Sequence, residues 1–192
     1  MVRLIGPGGA GKSTTGALLA ARMGASFLDL DRYFSERIGD IGRFIEQHGY
    51  DKYAWQNIEN YCALLSPGEQ VDVLALSSGF MTYETNCHPQ YSRVRSEVEL
   101  GPNTFVLLPS LDREVCVSET VRRQIARPFG RPASKEEAVI RARFEVYRVM
   151  SVRKIETMRP VIAVVDELIA AWTPEIPVIA TLNDAASFPR NQ

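Results

Sequence analysis

Histidine is almost missing from this chain. Only His48 and His88 occur among 192 residues, so a histidine-built metal centre has nothing to be made from. Cysteine is sparse and scattered, with Cys62, Cys87 and Cys116 standing 25 and 29 residues apart. An odd count at that spacing gives neither a disulfide framework nor a zinc cluster, and it points to reduced thiols in a cytoplasmic setting. No apolar run approaches the ~18 residues of a membrane span. The opening run Val2-Arg3-Leu4-Ile5 is cut at once by Gly6-Pro7-Gly8-Gly9, which leaves no signal-peptide core. Lysine is scarce too: Lys12, Lys52, Lys135 and Lys154 are the only lysines among 22 basic residues. The rest are arginine, whose planar fork grips phosphate and carboxylate.

Against these absences stands an ordinary globular content, 45% hydrophobic and 23% charged, enough for a core that needs no staple. The net charge of −1 hides an asymmetry, because twelve basic residues face six acidic ones between Arg113 and Arg159. A basic third within a near-neutral chain suits a small polyanionic ligand. Nucleic-acid binding would make the whole domain basic, so neither nucleic acid nor membrane is an expected partner.

Strands are predicted over Val2–Ile5, Ser26–Leu30, Val71–Leu76, Thr104–Leu108 and Val152–Thr157. Between them, helices are predicted over Gly11–Met23, Asp31–Arg37, Ile41–His48, Tyr50–Leu65, Arg113–Ala126 and Val161–Trp172. A further helix runs to about Met150 from Ser134, which forms a capping box with Glu137. Five strands alternating with helices predict an α/β fold, a parallel sheet covered on both faces in three layers. Residues 1–172 read as one domain, and 173–192 as an irregular tail with three prolines. Ligands of such sheets bind beyond the carboxyl ends of the strands. Those ends carry Gly6–Gly11, Asp29 with Asp31, Ser77–Gly79, and Pro109-Ser110.

Gly6-Pro7-Gly8-Gly9-Ala10-Gly11-Lys12-Ser13 fits the phosphate-loop pattern G-x-x-x-x-G-K-[ST], between a strand and a helix. The glycines let successive backbone N–H groups curl around a phosphate, and the helix behind adds its dipole. Gly8, Gly9, Ala10, Gly11, Lys12, Ser13 and Thr14 are therefore the expected ATP-binding residues. In this pattern Lys12 reaches the β- and γ-phosphates and Ser13 ligates Mg²⁺. No N-K-x-D motif reads a guanine, and the strand Val71–Leu76 ends in serines where an ATPase motor has Asp. Asp29 and Asp31 fall two apart, on one face of an extended strand. From there Asp29 would hold Mg²⁺ through water, and Asp31 would take the proton of an attacking hydroxyl. The competing structural role for Asp31 is to cap the next helix.

The run Gly6 to Gly16 together with Phe27-Leu28-Asp29-Leu30-Asp31 resembles the shikimate kinase family, with its G-x-x-G-x-G-K-S/T followed by F-x-D-x-D. The resemblance extends over roughly residues 1–172. It implies a small monomeric P-loop kinase that uses ATP and Mg²⁺ to phosphorylate a hydroxyl of shikimate. Arg127-Pro128-Phe129 is similar to the family's R-P-L lid, here about 127–134, and Arg143 to Tyr147 is similar to its R-x-x-x-Y. By resemblance Lys12, Asp31 and Arg127 are catalytic, Asp31, Gly79 and Arg143 bind the substrate, and Ser13 and Asp29 hold the metal. Two departures stand out. The family's helical Arg-x-x-Glu is missing from Gly49 to Ala54, with Asp51 near the arginine's place, and its Gly-Gly-Gly is Ser77-Ser78-Gly79. The acceptor is thus shikimate or another hydroxylated molecule, such as a sugar acid, cyclitol, antibiotic or nucleotide. The non-enzyme alternative is a nucleotide-binding regulator. Tyr50, Tyr53, Trp55 and Tyr61 read as core, and Arg122 and Arg123 as a solvated helix face.

Overall fold

The computed structural model describes residues 1–66, 68, 70–126 and 133–173. Arg127, most of the expected lid and the tail 174–192 lie outside the described residues. Along the chain come β1 (Val2–Ile5), α1 (Lys12–Met23), β2 (Phe27–Asp29), α2 (Leu30–Arg37), α3 (Ile41–His48), α4 (Tyr50–Leu64) and β3 (Val73–Ala75). A short 3-10 turn at Phe80–Thr82 precedes α5 (Tyr91–Leu100), β4 (Thr104–Leu108), α6 (Arg113–Ile125), α7 (Ala133–Val149), β5 (Arg153–Glu156) and α8 (Val161–Ala171).

The five strands form one parallel sheet in the order β2-β3-β1-β4-β5. Successive strand side chains point to opposite faces, and here both faces are covered, so β4 is apolar at every step from Phe105 to Leu108. Phe105 and Leu107 join Val2, Leu4, Leu19, Val164 and Leu168 in the core beneath α1 and α8. Val106 and Leu108 join Ile5, Phe34, Ile58, Tyr61 and Phe144 in the opposite core. Each such side chain contributes about 1.5–3 kcal/mol on burial. The three layers expected from the sequence are present. Beyond α8, Thr173 is tied to the start of β4, where the buried Asn103 side chain donates to its carbonyl at 2.8 Å and accepts from its N–H at 2.9 Å. No described helix is long and apolar enough to cross a membrane.

The chain leaves β1 toward β2 on one side and leaves β3 toward β4 on the other. The neighbours β1 and β3 therefore flank the topological switch point, where α/β sheets bind ligands. Gly6–Ser13 and Ser77–Gly79 both emerge there.

Three local expectations are corrected. β2 ends at Asp29, and Asp31 lies in the first turn of α2, so the two carboxylates do not share a strand face. Asp29 is itself the cap, since one carboxylate oxygen accepts from the N–H groups of Asp31 at 3.0 Å and Arg32 at 3.3 Å. That bond pair starts the helix one residue early, at Leu30, and removes capping as a role for Asp31. The second correction is α7, which begins at Ala133 and so places Ser134 within the first turn. Third, α5 was not expected at all. It buries Tyr91, Val94 and Val98, and the Tyr91 hydroxyl donates to the Phe80 carbonyl at 2.8 Å and accepts from the Tyr83 N–H at 3.1 Å. This fixes the chain that follows Ser77–Gly79.

Candidate active site

Gly11 adopts φ 92°, a left-handed conformation that favours glycine, and from it α1 starts directly at Lys12. Its first amides point to the mouth of the loop, which is the arrangement that receives an anion. Lys12 is buried, and its ammonium donates to the carbonyls of Gly6 at 2.7 Å and Pro7 at 2.9 Å. The Ser13 hydroxyl donates to the Asp29 carboxylate oxygen that does not cap α2. Two oxygens of the expected metal pair are thus side by side.

The outer rim of the loop is held by residues the sequence reading did not assign to it. Thr157, just after β5, donates its hydroxyl to the Ala10 carbonyl at 3.0 Å. Arg123 on α6 donates to the Gly9 carbonyl at 3.2 Å and to the Thr157 carbonyl at 3.3 Å. Arg123 is therefore no solvated side chain. Its neighbour Arg122 is one, 70% exposed and paired with Glu119. Consecutive helical residues point ~100° apart, so one faces the loop and the other faces water. Gly9, Gly11, Thr14, Thr15, Arg123 and Thr157 line part of a cleft of about 270 Å³ beside the loop.

On the other side of the loop lies a cavity of about 580 Å³. Its wall includes Asp31, Tyr50, Tyr53, Ser78, Gly79 and Arg143, with Ile41, Ile45 and Val139 as an apolar patch. Asp31 accepts a hydrogen bond from the Tyr53 hydroxyl at 3.0 Å. Burial, then the charge of Asp31, pushes the Tyr53 phenol far above its ordinary range, so it stays protonated and a donor. Arg143 donates to the Ser78 hydroxyl at 2.9 Å and to the Tyr50 hydroxyl at 3.2 Å. The Tyr147 hydroxyl donates to the Ser78 carbonyl at 3.1 Å, which gives the expected Arg143 and Tyr147 pair a common anchor. A methyl group on Gly79 would come within 2.3 Å of the Tyr50 hydroxyl oxygen and 2.9 Å of the Arg143 guanidinium, so glycine there admits both.

The departures noted in the sequence acquire a physical content. Ser77 is buried and accepts from the Asn57 side-chain amide at 2.7 Å, which also donates to the Tyr83 hydroxyl at 2.7 Å. Ser78 supplies the hydroxyl that receives Arg143. Asp51 is exposed and lies outside the cavity wall, so it does not replace a clamp. Tyr50 and Tyr53 line the wall from the same turn of α4, three residues apart and hence on one face. They are more than core, contrary to the expectation. That i,i+3 spacing at a helix start was the available signal.

Gln124 on α6 was also missed. Its amide nitrogen lies 2.1 Å from where a side-chain carbon on Gly8 would stand, and it borders the cavity. The phosphate loop and the cavity therefore meet at Gly8, Gln124 and Ser78. Of the expected site residues, Lys12, Ser13 and Asp29 gather at the loop, and Asp31, Gly79 and Arg143 gather in the cavity.

The sequence model of the shikimate kinase family matches residues 8–173. The chain belongs to the shikimate kinase family. A shikimate kinase of Thermobifida fusca is 27% identical over 89% of this chain and 93% of its own length. One of Marinomonas sp. is 33% identical over 43% of this chain, and the alignment spans 46% of that enzyme. The chain spans less than half of the first curated shikimate kinases it matches. Among solved structures, the shikimate kinase of Acinetobacter baumannii in complex with shikimate superposes with a TM-score of 0.61 at 22% identity, covering 88% of each chain. That likeness establishes the P-loop kinase fold.

Proposed function

We propose that this chain is an ATP-dependent kinase that transfers the γ-phosphoryl group to a hydroxyl of shikimate. The observation that carries the reading is the meeting of a phosphate loop and a hydroxyl-lined cavity at Gly8 and Gln124, with Asp31 and Arg143 inside that cavity. Family membership and the shikimate bound by the Acinetobacter relative support the choice of acceptor.

In this reading the amides of Gly8 to Thr14 and the Lys12 ammonium bind the ATP phosphates. The cleft by Arg123 and Thr157 takes the base. Ser13 and Asp29 present adjacent hard oxygens, the donor type that Mg²⁺ takes alongside substrate phosphates; they would hold the ion, which would supply neutralisation of phosphate charge. Arg143 holds the acceptor's carboxylate by its planar fork. Asp31 orients the reacting hydroxyl and takes its proton as the new P–O bond forms and the bond to ADP breaks. By the family's pattern Arg127, outside the described residues, is assigned to the transferring phosphate.

The test is ADP release coupled to detection of a phosphorylated shikimate by mass. Both are expected with the parent, and Lys12→Ala is expected to abolish turnover and weaken ATP binding in calorimetry. ATP binding without any shikimate phosphate would refute the acceptor, and parental activity in Lys12→Ala would refute the phosphate site.

A further inference from the structure

Two phenols from one turn of α4 touch two of the charged groups of the acceptor cavity, Asp31 and Arg143, whose wall also includes Asp40 and Glu136. Tyr53 donates to Asp31 at 3.0 Å, and Tyr50 receives Arg143 at 3.2 Å. The two rings lie against each other, with centroids 5.7 Å apart. Tyr53 is 6% exposed and packs on Phe34 and Tyr83. It is also backed by Asn57, whose amide nitrogen lies 3.4 Å from its oxygen and donates its two hydrogens to Ser77 and Tyr83 at 2.7 Å. The Asp31 end is therefore anchored to the carboxyl end of β3 through a buried polar chain. At the other end, Gly79 leaves room for the Tyr50 hydroxyl and the guanidinium to approach.

Resting on the kinase reading, we infer that Tyr50 and Tyr53 are paired positioning residues. Tyr53 fixes the carboxylate that orients the reacting hydroxyl, and Tyr50 fixes the guanidinium that receives the acceptor's anionic group. Because both sit on one rigid helical turn, they set the spacing between those two groups. They thereby select a compact acceptor whose anion and reacting hydroxyl match it. A carboxylate has free rotation about its terminal bond, and a guanidinium ends a long flexible stem. Without a fixed partner each spends less time in the productive geometry, and a displacement of about 1 Å costs up to ~10²-fold in rate. The division of labour makes the two effects separable. Loss of Tyr53 strikes the chemical step, and loss of Tyr50 strikes acceptor binding.

The experiment uses Tyr53→Phe and Tyr50→Phe in the full chain, because both keep the ring and its packing, with melting measured alongside. With shikimate as acceptor, Tyr53→Phe is expected to lower kcat by about 10-fold or more, the size of a lost charged hydrogen bond, with acceptor KM within about twofold. Tyr50→Phe is expected to raise acceptor KM by about 10-fold with kcat nearly kept. Each effect should vanish in the background that lacks its partner: Tyr53→Phe adds nothing to Asp31→Ala, and Tyr50→Phe adds nothing to Arg143→Ala. Equal losses in kcat and KM from either variant, or full additivity with the partner's replacement, would overturn the inference.

Crystal structures of the parent and both variants provide the arm that needs no acceptor. Displacement by more than ~0.5 Å of the Asp31 carboxylate in Tyr53→Phe and of the Arg143 guanidinium in Tyr50→Phe upholds the inference, even if the parent leaves shikimate untouched and the proposed activity fails. Unmoved groups overturn it even if the parent is an active shikimate kinase.

Discussion

Asp31→Asn is the most informative single change, because the structure isolates what it removes. The side chain keeps its shape, and its amide oxygen still accepts from the Tyr53 hydroxyl that now donates at 3.0 Å. The cap of α2 is untouched, since Asp29 makes it. The phosphate loop is untouched too, since Ser13 bonds to Asp29 and not to Asp31. A half-exposed position with its hydrogen bond preserved should change stability by no more than ~0.5 kcal/mol. What disappears is the negative charge and the proton acceptor. General-base groups contribute about 10²–10⁴-fold, equal to about 2.7–5.5 kcal/mol of transition-state stabilisation at 1.36 kcal/mol per decade. The assay is coupled ADP release at saturating acceptor, with ATP affinity by calorimetry and melting by circular dichroism on the same preparation. Turnover should fall by that factor while affinity and melting hold. Turnover within a few-fold of the parent would remove Asp31 from the chemistry. A matched collapse of melting and turnover would show that its role is in the fold.

Three further changes probe the cavity wall, the exposed side of α4 and the contact between α6 and α7. Gly79→Ala introduces a carbon within 2.3 Å of the Tyr50 hydroxyl and 2.9 Å of Arg143; both groups must shift, so melting should drop within the ~1–3 kcal/mol overpacking range, while acceptor KM rises several-fold in steady-state kinetics. Asp51→Arg adds a cation on the exposed side of α4, outside the cavity, and acceptor KM should stay within about twofold, since surface charges are largely screened; a marked improvement would mean that this turn is misplaced. The hydrogen bonds from Arg141 and Arg113 to Glu114 hold its carboxyl down to about 2, against an ordinary 4.5, and Arg141 links α7 to α6 through it. A depressed carboxyl contributes stability above its unfolded pKa and loses it as pH falls, so the parent's melting point should decline between about pH 4.5 and 2, and less steeply in Glu114→Gln.

The two halves of the site were not equally legible in the sequence, and the reason is geometric. The donor half occupies consecutive residues. A phosphate is held by backbone amides, so what must be specified is local φ and ψ, and glycines at fixed offsets specify them. Gly6 to Ser13 could thus be read without knowing what surrounds them. The sheet was legible for a similar reason, because strands buried on both faces are short unbroken apolar runs. α5 was not: its segment carries four charged residues, and its N-cap Gln90 makes no side-chain capping bond. Its three buried side chains stand out only once β4 supplies a face for them. Asp31 was placed beside Asp29 on a strand face, and that placement fails. Strand alternation was invoked, whereas the Asp29 cap turns the chain into a helix and sends the two carboxylates to different tasks.

The acceptor half is assembled from α2, α4, the end of β3, α6 and α7, with Asp31, Tyr53, Ser78, Gln124 and Arg143 drawn from positions up to 112 residues apart. No window of sequence contains that arrangement. A tyrosine inside a helix reads as a buried ring, because the ring carries most of its area, and for Tyr53 the ring is indeed buried. The functional content sits in one oxygen atom whose partner is 22 residues away. The same holds for the serines after β3. As residues they read as lost glycines, yet as hydroxyls they complete one contact buried behind the wall, Ser77 with Asn57, and one in it, Ser78 with Arg143. A family whose donor chemistry is fixed by backbone geometry can therefore rebuild its acceptor wall with polar side chains while keeping its motifs. Here the turn of α4 that lacks the family's arginine carries Tyr50 and Tyr53, whose hydroxyls bond to Arg143 and Asp31.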